Sequence, residues 1–125
     1  NVWVEPNLIP GSHPHWIRAA TYTPEMYNAL ISAVIRPGVG TTTDVLMSGG
    51  RPFLFHEPKN QEMKHNAISI ENSGLGLSCA NIEDAWHEAE RYIHNKTIQD
   101  KHVDLVNNLN FNGAKEAVNI LMSCK

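Results

Sequence analysis

Short apolar runs alternate along the chain with longer segments in which apolar residues recur every three or four positions. The apolar runs, each bounded by Gly or Pro, predict four strands, at residues 2–5, 33–36, 52–56 and 75–79. The periodic segments predict helices over residues 24–31, 41–48, 60–73, from 81 onward, 101–109 and 113–123. Residues 13–23 are expected to be an irregular surface stretch and residues 97–101 a linker. Strand–helix alternation favours an α/β fold, an open and mostly parallel Rossmann-like sheet of about four strands with helices on both faces.

Capping residues mark the ends of these helices. Thr23-Pro24 predicts the start of the first helix, since Thr is a good N-cap and Pro suits the first helical position. Asn60 and Asn81 predict two more starts, and Gly74 predicts a left-handed C′ residue after the third helix.

The helix that begins at Asn81 has one apolar face, formed by Ile82, Ala85, Trp86, Ala89 and Ile93. Trp86 is therefore expected in the core. The same helix carries His87, Glu90 and His94 on a flank that we interpret as solvated.

Composition excludes several classes of protein. Net charge is −3 with no basic block, which argues against a nucleic-acid surface. No run of 18 apolar residues predicts a membrane span, and no signal peptide is visible. Cys79 and Cys124 form no CxxC motif, so we expect two buried thiols and a cytoplasmic protein. His13 and His15 lack a nearby third ligand and favour an exposed loop over a metal site.

The stretch RPGVGTTTD, residues 36–44, is rich in hydrogen-bond donors and follows a predicted strand. Ligands of open α/β sheets bind outside the carboxyl ends of strands, and the first amides of a helix bind anions. The donors predicted here are the guanidinium of Arg36, the backbone of Gly38, Val39 and Gly40 and the hydroxyls of Thr41 and Thr42. Asp44 lies where a ribose diol could reach it. The alternative is an ordinary strand–helix turn with a Thr cap, in which Asp44 only stabilises the helix dipole.

Residues 32–77 resemble the nucleotide-sugar-binding domain of GT-B glycosyltransferases, in the group of family 28 and the UDP-glycosyltransferases. The shared order is strand, Arg, a Gly-containing turn, Thr, a helix with an acid, Gly-x-Pro, an apolar strand, a Gln-containing loop, Asn-Ala and Gly-x-Gly. In this chain those pieces are Arg36, Gly38, Thr41, Asp44, Gly50-Arg51-Pro52, Phe53–Phe55, Gln61, Asn66-Ala67 and Gly74-Leu75-Gly76. The likeness extends over most of the chain after about residue 21.

The resemblance implies a role for each matched position. Arg36 and the amides of residues 38–41 would hold the diphosphate, and Asp44, one methylene shorter than the usual Glu, would bind the ribose through water. His56, at a strand end, is expected either to touch the ligand or to be structural. Gln61, with Asn60 or Glu62 beside it, would read the hexose hydroxyls, and Asn66 would cap or brace that loop. Gln61 and Glu62 are left as alternatives because the loop is about one residue longer than the common form.

The resemblance further implies a metal-independent hexosyltransferase that uses a nucleotide-diphospho-sugar, with UDP favoured, and no cofactor. Residues 1–125 would form one incomplete donor-binding domain from a longer chain, inactive alone. The catalytic base would come from an acceptor-binding domain or subunit. Two alternatives stay open: a non-catalytic nucleotide- or sugar-binding module that completes or regulates a partner, and a nucleotide-sugar epimerase of the same general fold.

Overall fold

Two small parallel sheets and six α-helices make up the described part of this α/β protein. The structure is a computed structural model, and it describes residues 1–123 apart from the side chains of Ala114 and Leu121. Cys124, expected as a buried thiol, lies outside the described residues. The strands are β1 Val2–Val4, β2 Ile17–Ala19, β3 Ser32–Ile35, β4 Arg51–Leu54 and β5 Leu77–Ser78. The helices are α1 Pro24–Asn28, α2 Val39–Met47, α3 Gln61–Asn72, α4 Ile82–Ile93, α5 Lys96–Asn107 and α6 Gly113–Ser123.

The strands do not form the single four-stranded sheet that the apolar runs predict. Strands β1 and β2 pair with each other, and a separate sheet has the order β3-β4-β5, with every pair parallel. The prediction missed β2, because Ile17 is the only partly buried residue in it. Its extended form comes from a distant partner: Val2 donates to the Trp16 carbonyl at 2.9 Å and Ala20 to the Val4 carbonyl at 2.8 Å.

The capping predictions are confirmed. The side chain of Thr23 accepts from the Met26 amide, that of Asn60 from the Met63 amide and that of Asn81 from the Asp84 amide. Gly74 follows the C-cap of α3 at φ 75°, in the left-handed region that favours glycine. Local sequence therefore sets the ends of these helices.

Several helix boundaries differ from the prediction, three of them in ways that have a visible cause or consequence. Helix α1 ends at Asn28, three residues early. Helix α2 begins at Val39 instead of residue 41, since the Gly38 carbonyl already accepts the Thr42 amide at 3.0 Å. Helix α5 begins at Lys96, because Asn95 caps it, so the expected linker at residues 97–101 is helical.

Helices pack on both faces of the three-stranded sheet. On one face, Phe53 of β4 forms a core cluster with Ala85, Ala89 and Tyr92 of α4. The neighbouring Pro52 points the other way, towards α3, where Ile70 joins a second cluster with Leu46, Leu75 and Val106. Alternation along β4 thus joins the two helical layers through one central strand.

Trp86 is not a core residue. Its side chain is 50% exposed, and Ile82 and Ile93 of the same stripe are 48% and 45% exposed. The side of α4 that meets the sheet is lined by Ala85 and Ala89, whose small side chains let the helix backbone approach Phe53 closely. Trp86 is left on the border of the buried face.

No helix in the described part of the chain has the length and apolar character required to cross a bilayer.

Candidate functional site

The carboxyl ends of β3 and β4 bring two loops together. The register pairs Ile35 with Leu54, and the two chains leave the sheet in the same direction because the strands are parallel. The loop after β3 leads into α2, and the loop after β4 leads into α3. The predicted phosphate and hexose residues therefore lie in these two loops and in the helices that follow them, at one edge of the sheet.

The start of α2 presents free backbone donors. Within residues 1–123 the amides of Val39, Gly40 and Thr41 donate to no acceptor, as expected for the first three residues of a helix. A Cβ added at Gly38 or Gly40 would meet nothing within 4 Å, so the two glycines are not crowded by neighbouring side chains. The Gly38 amide is not part of this set, because it donates to the Arg36 carbonyl at 2.8 Å.

The two threonines of the predicted anion site have different surroundings. Thr41 is exposed at the helix start. Thr42 is only 4% exposed, and its Oγ1 is buried without a partner among the described residues. The Thr42 hydroxyl is thus an unsatisfied group inside the first turn of α2 and lies away from the surface.

Asp44 is exposed on α2, one and a half turns from its start. Burial, and to a smaller extent the negative charge of Asp44, raises the pKa of Tyr27 on α1. The Asp44 carboxylate is thus accessible to solvent.

Arg36 forms an ion pair that the sequence did not predict. Its Nη2 donates to Oε2 of Glu57 at 2.6 Å, and the two side chains are 49% and 60% exposed. Arg36 follows β3 by one residue and Glu57 follows β4 by three, so strand adjacency creates the contact. Opposite charges just after two adjacent parallel strands were the sequence signal that could have revealed it.

Asn66 braces the loop between β3 and α2. Its Nδ2 donates to the Pro37 carbonyl at 3.0 Å, across 29 residues of sequence. Pro37 is among the fully buried residues, so this bond holds the turn that precedes α2. The resemblance had implied a bracing role for Asn66 in the Gln-containing loop, and the structure shows its side chain bonded to the loop between β3 and α2 instead.

The remaining hexose candidates cluster at the start of α3. Gln61 and Glu62 are exposed in its first turn, while the Asn60 side chain is already occupied as the cap. His56 is half-buried, and its Nδ1 lies 3.1 Å from the Glu57 carbonyl. Among these, Gln61 and Glu62 present their side chains most freely to a ligand.

A buried histidine lies elsewhere in the fold. His102 of α5 is 2% exposed, its Nε2 is 3.1 Å from the Gly50 carbonyl, and Nδ1 has no partner among the described residues. Burial, as the main cause, lowers its pKa. Gly50 precedes β4, so this group is at the amino end of the sheet, opposite the candidate site. The helical spacing of His102, Val106 and Leu109 could have revealed its position on the inner face.

Two cavities lie outside the candidate site. One has a volume of about 380 Å³. It is lined by residues just before β3 and by residues at the end of α2, and Gly49 and Tyr92 are among its lining residues. Another, about 680 Å³, runs along the α4 flank with His87, Glu90 and His94. In the described portion of the chain, no three His, Cys, Asp or Glu side chains are grouped to hold a metal ion.

No protein-family model matches the chain, and neither a curated protein nor a solved structure matches it.

Proposed function

We propose that the chain binds the diphosphate of a nucleotide sugar at the start of α2, as the donor-binding part of a metal-independent hexosyltransferase. One observation carries the proposal: three unbonded amides, those of Val39, Gly40 and Thr41, open the helix beside a solvent-accessible arginine at the carboxyl edge of a parallel sheet. Both the helix dipole and the guanidinium favour a multiply charged anion there. The two parallel sheets would belong to a Rossmann-like GT-B donor domain.

The same geometry suits the chemistry of glycosyl transfer. Breaking the bond from sugar C1 to the phosphate oxygen leaves negative charge on the diphosphate. Preorganised amides and Arg36 would stabilise that charge, and one such donor is worth about 3 kcal/mol in a transition state. Asp44 would bind the ribose and Gln61 or Glu62 the hexose hydroxyls. The acceptor and its base would belong to another domain or subunit.

The amide donors are tested by Val39→Pro. Proline is favoured at the first helical position and removes one amide there. Gly38, at φ −74° and ψ 136°, already has the extended conformation that a following proline requires. We expect the variant to keep its fold and to bind UDP about ten-fold or more weakly, since hydrogen bonds to charged groups contribute about 1.5–3 kcal/mol. Isothermal titration calorimetry measures the affinity.

The arginine is tested by Arg36→Gln with Arg91→Gln as the matched control. Arg91 is also an exposed arginine, paired with Glu88 at 2.7 Å on α4. We expect only Arg36→Gln to weaken UDP binding, and UDP, GDP and TDP to shift the amide resonances of residues 36–44 and 60–66. Unchanged UDP affinity in both Val39→Pro and Arg36→Gln would refute the site.

UDP binding alone is also expected of a non-catalytic nucleotide-binding module, so it does not distinguish that module from an enzyme. Sugar transfer from a UDP-hexose, assayed with an acceptor-binding domain or subunit present, separates the two functions. An enzyme should lose turnover in Arg36→Gln, whereas a module should show no turnover with either protein.

A further inference from the structure

The ion pair between Arg36 and Glu57 occupies the charged part of the proposed anion site. The Arg36 guanidinium donates to the Glu57 carboxylate at 2.6 Å, with about half of each side chain in solvent. An arginine fork binds carboxylate and phosphate oxygens with the same N–H groups. The pair uses one Arg36 donor and neutralises its charge, so an incoming phosphate would compete with Glu57 for the guanidinium.

Glu57 is held in place by its own backbone. Its carbonyl accepts the Asn60 amide at 3.0 Å, in the turn that leads into α3. The Nδ1 of His56 lies 3.1 Å from the same oxygen. This turn fixes the Glu57 backbone shortly after β4, within reach of the Arg36 guanidinium.

We propose that Glu57 is an intramolecular competitor for the anion, so that a ligand must take Arg36 from Glu57 in order to bind. This inference rests on the proposed function. A ligand that contacts only the guanidinium replaces the Glu57 carboxylate with another anion, so it gains little binding free energy. A diphosphate that also contacts the amides of residues 39–41 gains new hydrogen bonds. Glu57 thus sets the selectivity of the site for a multidentate anion.

Inorganic pyrophosphate and UDP are suitable probes, with calorimetry at low ionic strength on the full 125-residue chain. Glu57→Gln removes the competing charge and preserves the size of the side chain. Glu88→Gln is the matched control, because it removes the partner of Arg91 elsewhere on the surface. We expect Glu57→Gln to bind both probes up to about five-fold more tightly, the range that exposed ion pairs cover. Glu88→Gln should bind like the wild type.

The double variant assigns the gain to Arg36. In the Arg36→Gln background, Glu57→Gln should give no more improvement than the control. The gain should also shrink as salt is added, because exposed charges are screened. Equal affinity of Glu57→Gln and wild type overturns the competitor role and leaves the proposed function intact. Weaker binding by Glu57→Gln also overturns it, and absence of binding in every protein overturns both proposals.

Discussion

Gly76 is the position at which a single methyl group should disturb the sheet most. It is buried between α3 and β5. A Cβ added there would lie 2.7 Å from the Pro52 carbonyl oxygen, 2.8 Å from Cγ2 of Ile70 and 3.0 Å from Cγ of Pro52. The Ile70 atom is a β-branch methyl in a helix, where χ1 of Ile is nearly fixed, so it cannot easily turn away. The Pro52 carbonyl and ring are equally fixed, because they belong to the central strand, so Gly76→Ala must push β5 away from β4.

The expected loss of stability depends on how few contacts hold β5 in place. Only two of its residues pair with β4, Leu77 with Phe53 and Ser78 with Leu54. Overpacking in a close-packed interior costs about 1–3 kcal/mol, and the rigid backbone contact places Gly76→Ala near the upper end. For a domain of this size we expect Tm to fall by about 10 °C, since each kcal/mol shifts it by about 3–6 °C.

Urea and thermal unfolding measure this effect. Gly40→Ala is the matched control, because its added methyl group would meet nothing within 4 Å and alanine is a better helix former. The Gly40→Ala variant should be as stable as the wild type or more stable by up to about 1 kcal/mol. A loss below about 0.5 kcal/mol for Gly76→Ala would refute the close approach of the two strands.

Three further predictions concern the site and the core. Asn66→Ala should lower the free energy of unfolding by about 1–2 kcal/mol in urea titrations, because it leaves the Pro37 carbonyl without its donor; no loss would contradict the brace. Burial lowers the pKa of His102, so its stabilising contribution is present above about pH 6.5 and is lost as the pH falls through the lower folded-state pKa. Unfolding titrations from pH 8 to 5 should show wild type losing stability relative to His102→Gln, by at most about 1.4 kcal/mol per pH unit, and parallel curves would contradict this. Glu57→Gln should change the free energy of unfolding by less than about 1 kcal/mol, because its partner Arg36 is exposed, and a larger loss would show a structural role.

Local sequence determined the α/β class and the helix ends capped by Thr23, Asn60, Asn81 and Gly74. Each of these depends on one side chain or one backbone conformation within four residues, which is why a pattern can predict it. The same holds for residues 36–44: a strand followed by Arg36 and two glycines implies that helix amides follow the end of a strand, whatever the rest of the chain does.

Tertiary structure decided which distant residues contact those local features. Strand β2 is extended because it pairs with Val2–Val4, and Trp86 is exposed because two alanines face the sheet instead. The contacts of Arg36 with Glu57 and of Asn66 with Pro37 span 21 and 29 residues. Such contacts depend on which strands become neighbours. The periodicity of a segment predicts which face of a helix or strand is apolar, but it does not predict which other element covers that face.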